Sequence, residues 1–441
     1  MFITFFFLLS CLIPLAVVAS KKVFPFQYAI DDFPNGLRLI TIPTDYPNLI
    51  AYYLVVHTGS RNEVEPGKSG FAHLFEHLMF RGTQSYSPEE YGEVLKLAGA
   101  DHNAYTSDDR TVYHIVFSKE DLDQIMLLEA DRFQSLKVSV EDFKTETKAV
   151  LGEYNKNASD PMNKLFEVVR NTAFERHTYK HTTMGFIADI ENMPNMYDYS
   201  LEFFDRYYRP ENATIILAGD VNQEDALPII ARHWGNWARG HFVPTIPVEP
   251  GQSGERTAEI AWPTPTLPWV MVAYKGPAFS DRRKDMPAMD LIASLGFSPN
   301  SPLYQRLVVT EQKVDVLLPI FEDHRDPYLI ITAARVKDPN DLQYVRKAII
   351  EAFDFFKNEA VAQDLLEGVK SNLRYGFALA MDNSDSIAST LAAYIGPERD
   401  PETINRRFDV YSSVTPEDLR EIATRYFSVT DRTVATLLHK G

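Results

Sequence analysis

The sequence predicts an α+β chain of two homologous domains, each of about 200 residues, with a mostly antiparallel sheet and helices packed on it. Three observations predict it. Arg206-Tyr207-Tyr208, followed by Asn212 and Thr214-Ile215, returns 219 residues later as Arg425-Tyr426-Phe427, Asp431 and Thr433-Val434. Both copies follow a helix-like stretch and lead into a strand-like run, which reads as duplication. Between them GHFVPTIPVEPGQSGE (240–255) sets three prolines before two glycines, a connector with little capacity for regular structure. Within each half, strand-like runs neighbour one another and do not alternate strictly with helices.

In chain order, residues 1–20 carry no charged side chain, end in Val17-Val18-Ala19-Ser20 and precede Lys21-Lys22, as a secretory signal peptide does. The departure is the absence of Lys or Arg at the front, so an uncleaved leader would serve as a membrane anchor. LIAYYLVVHTGS (49–60) and RTVYHIVFS (110–118) have strand composition, and NAYTSDDRTVYHIVF (103–117) alternates as one strand. Ser69-Gly70 and Gly82 bracket a helix, and amphipathic helices follow over 118–136 and 139–161. MYDYSLEFFDRYY (196–208) reads as a helix before the strand ATIILAG, and PEDLREIATRYF (416–427) before TVATLLH. The expected organisation is a signal peptide at 1–20, an N-terminal domain at 21–239, a linker at 240–256 and a C-terminal domain at 257–441.

Composition narrows the function. A net charge of −17 argues against nucleic acid, whose phosphates need clustered Lys and Arg. The single cysteine, Cys11, lies in the leader, so the remaining chain offers no disulfide, thiolate zinc site or cysteine nucleophile. A metal would have to be held by His, Asp or Glu.

The stretch GFAHLFEHLMFRGT (70–83) supplies such groups. On a helix His73 and His77, four apart, share a face, and Glu76 is one residue off that line. Two imidazoles one turn apart can both reach a tetrahedral ion, and the carboxylate can touch a water on it. The order His-x-x-Glu-His is the inverted form of the commoner metallopeptidase motif. A catalytic zinc needs a third protein ligand and an open fourth position. On the helix over 139–161, Glu146 and Glu153 are seven apart and face one way; taken alone, such carboxylates are usually a solvated face. His177 and His181 are four apart in a Gly- and Thr-containing stretch without a carboxylate between them, and His102 and His114 are singletons. All four are read as surface or packing residues.

HLFEH with Glu153, 76 residues after His77, resembles the pitrilysin-type inverted-zincin peptidases, the M16 family, and most of all the branch with the mitochondrial processing peptidase subunits and bacterial two-subunit peptidases. GSRNE (59–63), NAYTSDDRTVYHIVF, KAVLGEYNKNASDP and SPLYQRLVVTEQKV carry the same likeness. The resemblance implies one Zn²⁺ per chain on His73, His77 and Glu153, and a zinc metalloendopeptidase acting on short or unfolded peptides. Glu76 would be the base that activates the zinc-bound water, and Glu146 would join the catalytic set as an outer carboxylate orienting a ligand histidine. Asn103 and Ala104 would bind substrate on an exposed edge strand.

One departure from the family is mechanistic. Active members need an Arg and, seven residues later, a Tyr from a domain opposite the zinc. Here those positions hold Val308 and Asp315, with Arg306 and Tyr304 nearby in the wrong order, and the second half reads Ile-Ala-Ser-Leu-Gly (292–296) where a second motif would stand. The expected chain is therefore the zinc-bearing half of a clamshell. Its Arg/Tyr pair would come from a paralogous subunit in a heterodimer, or the chain would form a homodimer. A leader before a cysteine-free chain implies a periplasmic or secreted protein. The competing reading is a non-catalytic peptide-binding or assembly subunit, against which stands the completeness of the zinc-side residues.

Overall fold

The computed structural model describes residues 22–440 apart from residue 397, so the signal-peptide expectation and Cys11 lie outside the described residues. The first sheet contains β1 (Ala29–Asp32), β2 (Arg38–Pro43), β3 (Leu49–Val56), β4 (Asp101–Thr106), β5 (Thr111–Ser118) and β6 (Ala213–Gly219), in the order β1-β2-β6-β3-β5-β4. The second contains β7 (Arg256–Trp262), β8 (Trp269–Lys275), β9 (Val314–Phe321), β10 (Leu329–Val336) and β11 (Arg432–His439), in the order β7-β11-β8-β10-β9. Each sheet has one parallel pair, β2/β6 and β7/β11, and every other pairing is antiparallel. Strand for strand, the second sheet repeats the first without β1. The duplication read from the Arg-Tyr motif is thus a repeat of topology.

Helices of the first half are α1 (Phe71–Leu78), α2 (Pro88–Leu97), α3 (Leu122–Gln134), α4 (Val140–Ala158), α5 (Pro161–Ala173), α6 (Ile187–Asn192), α7 (Tyr197–Tyr207) and α8 (Gln223–Trp234). Those of the second are α9 (Asp285–Phe297), α10 (Pro302–Tyr304), α11 (Leu342–Asn358), α12 (Gln363–Leu379), α13 (Ser384–Tyr394), α14 (Glu402–Ser413) and α15 (Pro416–Tyr426). The fold is α+β in two halves, as expected.

Side-chain alternation sorts the cores. On β3, Tyr52, Leu54 and Val56 join the cluster containing Phe71, Leu74 and Phe75 of α1, whereas Ala51, Tyr53 and Val55 face the other way. That other face is covered by α13, which belongs to the second half. Conversely, α5 of the first half covers β7, β8 and β11 through Leu165, Val169 and Ala173. Each sheet is therefore completed by a helix from the opposite half. Because β3 and β6 are covered on both faces, they read as continuous apolar runs. Each fully buried Leu, Ile or Val contributes about 1.5–3 kcal/mol.

The Pro-rich connector has no helix or strand between Trp234 and Arg256. Glu249 within it accepts backbone N–H bonds from Glu175, Arg176 and His177 at 2.8, 2.9 and 3.0 Å, which ties the connector to the end of α5.

One expectation needs correction. Residues 103–117 form two strands and not one. Ser107 and Arg110 close a turn, with Ser107 N–H donating to Arg110 O at 2.8 Å and Arg110 N–H to Ser107 Oγ at 3.2 Å. The alternation continues on both sides, so periodicity alone hides the Ser-Asp-Asp-Arg turn whose side chains reward the reversal. β4 thereby becomes the free edge of the sheet.

Candidate functional site

The first turn of α1 is fixed from outside the helix. Gly70 precedes it with φ 93°, a left-handed conformation, and a Cβ there would lie 2.6 Å from Met184 O. The buried Glu63 accepts from Gly70 N–H at 2.7 Å and Ala72 N–H at 2.8 Å, satisfying amides that a helix start leaves open. Burial pushes the Glu63 carboxyl up to about 8 despite those bonds. Phe71, Ala72, Leu74, Phe75 and Leu78 face the core. The motif's polar residues are left on the side that meets α4.

There the expected groups converge. His73 Nε2 is 3.7 Å and His77 Nε2 3.5 Å from Glu153 Oε2, and the three residues bring one ligand atom each within 4.8 Å of one another. Ligands at about 2.1 Å around a tetrahedral zinc stand about 3.4 Å apart, so these separations suit a shared ion. His73 Nδ1 is buried without a hydrogen-bond partner, leaving Nε2 as that ring's outlet. The donor set, two imidazole nitrogens and a carboxylate, is one zinc accepts. The residues fit a divalent cation.

Around them stands a second tier. His77 Nδ1 lies 3.3 Å from Glu146 Oε2, whose other oxygen pairs with Arg81. That contact with Glu146 raises the His77 pKa, whereas burial lowers that of His73. Burial alone would raise the Glu146 carboxyl, but the His77 contact and the Arg81 charge carry it below the usual range. Glu76 Oε2 accepts from Thr106 Oγ1 at 2.6 Å, so the last residue of β4 holds the candidate base. Sequence reasoning gave no role to Glu63, Arg81 or Thr106. Glu63 ends the quoted GSRNE stretch, and Thr106 sits three residues past Asn103; those were the available signals.

Asn103 and Ala104 lie on β4, where Asn103 Oδ1 accepts from Ala104 N–H at 2.9 Å. His177 and His181 are buried, near Asp326 and Glu63 respectively, which settles them as packing residues. In the second half, α9 carries Ile292, Leu295 and Gly296 and is buried along nearly its whole length. Asp315 is held by Arg335 at 2.8 Å, Val308 packs against the core, and the Arg306 guanidinium lies 5.9 Å from the Tyr344 ring centre.

Residues 40–186 match the family described as Insulinase (Peptidase family M16), and residues 196–373 match the Peptidase M16 inactive domain. The chain belongs to peptidase family M16. This M16 chain is 29% identical over 409 residues to the zinc protease PqqE of Helicobacter pylori, covering 91% of each. It is 22% identical over 432 residues to the mitochondrial-processing peptidase subunit beta of Caenorhabditis elegans, covering 94% of this chain and 90% of that one. Its fold superposes on a protease from Helicobacter pylori with TM-score 0.88 at 28% identity, covering 93% and 99% of the two chains. On the periplasmic protease PqqL of Escherichia coli the TM-score is 0.75 at 19% identity, covering 94% of this chain and 48% of that one. Relatives named as zinc proteases support a peptidase role for this M16 chain, and the inactive-domain match, from 196 to 373, includes α9, which has no His-x-x-Glu-His.

Proposed function

We propose that this chain is a zinc-dependent metalloendopeptidase that hydrolyses peptide bonds of short or unfolded peptides. The observation that supports it best is the convergence of His73, His77 and Glu153 beside a carboxylate that is held but not consumed, Glu76. Zinc held by the three ligands would polarise the scissile carbonyl and lower the pKa of a water toward about 7. Glu76 takes a proton from the attacking water and returns it to the leaving amine; Thr106 keeps its carboxylate aimed. Glu146 holds Nδ1 of His77, so that Nε2 faces Glu153.

Substrate adds to β4 as a further strand, using main-chain hydrogen bonds that tolerate many sequences. The Asn103 carbonyl oxygen on Ala104 N–H marks one amide at this edge already provided with an acceptor that a peptide carbonyl could replace. Val308 and Asp315 occupy the family's Arg and Tyr positions respectively, and both are engaged in this chain's own packing. We therefore assign the pair to a paralogous M16 subunit in a heterodimer, with a homodimer as the alternative assembly. The match to half of the longer PqqL structure supports a second subunit by fold alone. Among the described residues no helix is long and apolar enough to cross a membrane, and the periplasm is the proposed compartment.

The test is metal analysis with a peptide-cleavage assay on wild type and Glu76→Gln, each with and without a co-expressed paralogue. Glu76→Gln is expected to retain zinc and lose about 10²–10⁴-fold in turnover. Wild-type turnover in Glu76→Gln would defeat the base assignment, and a chain cleaving as fast alone as in any mixture would defeat the partner.

A further inference from the structure

Where the turn at 107–110 of the first sheet meets the turn at 322–327 of the second, many charges are buried and nearly all are paired. Asp108 accepts from Arg170 at 2.7 Å and from Ser60 Oγ at 2.6 Å, and lies 3.0 Å from His324 Nε2. Asp109 accepts from Tyr179 Oη at 2.7 Å and from Arg325 N–H at 2.9 Å. Asp326 pairs with Arg61 at 2.5 Å and His177 at 3.0 Å, and Asp323 with Arg407 at 2.5 Å. One carboxylate oxygen, Asp323 Oδ1, and two guanidiniums are the exceptions. Arg110 and Arg325 line one cavity of about 40 Å³ together with His57, and among the described residues neither side chain has a hydrogen-bond or ion-pair partner. Arg110 Nε is buried and unsatisfied. A third cation stands behind His57: Arg399 Nε donates to Thr214 Oγ1 at 2.8 Å, and that hydroxyl lies 2.9 Å from His57 Nε2.

We propose that this cavity, at the junction of the two halves, binds a small oxyanion through Arg110 and Arg325. Two half-buried guanidiniums that line one cavity without a hydrogen-bond or ion-pair partner have lost hydration, a cost that an anion between them offsets. Their planar donor forks match carboxylate, sulfate or phosphate oxygens. A water takes about 10–15 Å³ of such volume, so the cavity suits an ion of a few heavy atoms and excludes a nucleotide. Of the other charged lining groups, Asp109 is committed to Tyr179 and the Arg325 amide, His324 to Asp108, and Asp323 to Arg407 through Oδ2, while Asp323 Oδ1 is buried without a hydrogen-bond partner and opposes an anion with part of one charge against two guanidiniums. The last turn of α13 also lines the cavity, but a helix C-terminus carries about half a negative charge against two full positive ones. This site shares no residue with the zinc ligands.

Two sources share this chemistry, a free inorganic oxyanion and the terminal carboxylate of a peptide. The test is sulfate titration of the full chain at constant ionic strength, with chloride as the balancing salt, followed by calorimetry and thermal unfolding. Saturable binding of one sulfate and a rise in Tm of about 2–4 °C are expected. Arg110→Gln and Arg325→Gln should each weaken binding at least tenfold and leave Tm without sulfate unchanged or higher, since each removes an unpaired buried charge. Arg283→Gln, an exposed cation elsewhere, should leave binding unchanged. If a Gln variant fails to fold, Arg110→Lys should bind sulfate more weakly than wild type but measurably. Competition by a free-acid peptide but not by its amide would support the site with a peptide terminus as ligand, and no competition by either would support it with the inorganic ion. Equal Tm responses to sulfate and chloride, or sulfate binding unchanged in both Gln variants, would overturn the proposal.

Discussion

Glu146 shows how much one carboxylate can do without touching the metal. It is almost fully buried and bridges His77 and Arg81, so its loss frees the imidazole to rotate and leaves Arg81 without its partner. Glu146→Gln is expected to lower zinc affinity about 10- to 100-fold with the fold retained, whereas the exposed Glu141→Gln on the same helix should not. Competition with a chelating dye measures both. At this scale the sequence was legible where chemistry follows local spacing: His73, Glu76 and His77 on one short helix, and Glu146 and Glu153 two turns apart on another. It was silent where partners are distant along the chain. Nothing local in GSRNE says that Glu63 closes the start of α1, and nothing in the alternation of β4 says that Thr106 reaches Glu76.

Among the elements, the edge strand matters most. Among the described residues β4 pairs only with β5, and its outer side presents main-chain groups to whatever lies alongside. Ala104→Pro removes one amide donor at a position where an edge strand tolerates proline. The expected result is a fall in kcat/KM of at least about fivefold with zinc content unchanged, because the substrate loses a strand-pairing bond worth about 1 kcal/mol or more. Steady-state kinetics with metal analysis decide it. The strands themselves were readable from composition, and the covered ones as unbroken apolar runs. Yet the hairpin at 107–110 was read through as one strand, since a turn that preserves alternation leaves no phase break to detect.

At the level of the whole molecule, the junction of the halves is a polar lattice and carries its own pH dependence. His324 sits buried against Asp108, which raises the imidazole pKa and, with the Arg170 charge, depresses that of the carboxyl. A raised histidine contributes stability that is fully present below its unfolded value of about 6.5 and is lost as pH rises through the folded value. A depressed carboxyl contributes stability above about 3.9 that is lost as pH falls toward its folded value. Denaturant unfolding of wild type and His324→Gln should therefore differ most near pH 6 and progressively less toward pH 9. A constant difference would count against the ion pair.

The exchange of α5 and α13 between the sheets was not visible in the chain, because neither helix differs in pattern from one that packs locally. Its consequence concerns severance. A protease nick in the stretch between Trp234 and Arg256 would yield two fragments that stay clasped and co-elute under native conditions, each lending the other a wall. Expressed singly, either fragment would expose a bare apolar floor and precipitate, and mixing the two denatured pieces before refolding should rescue both.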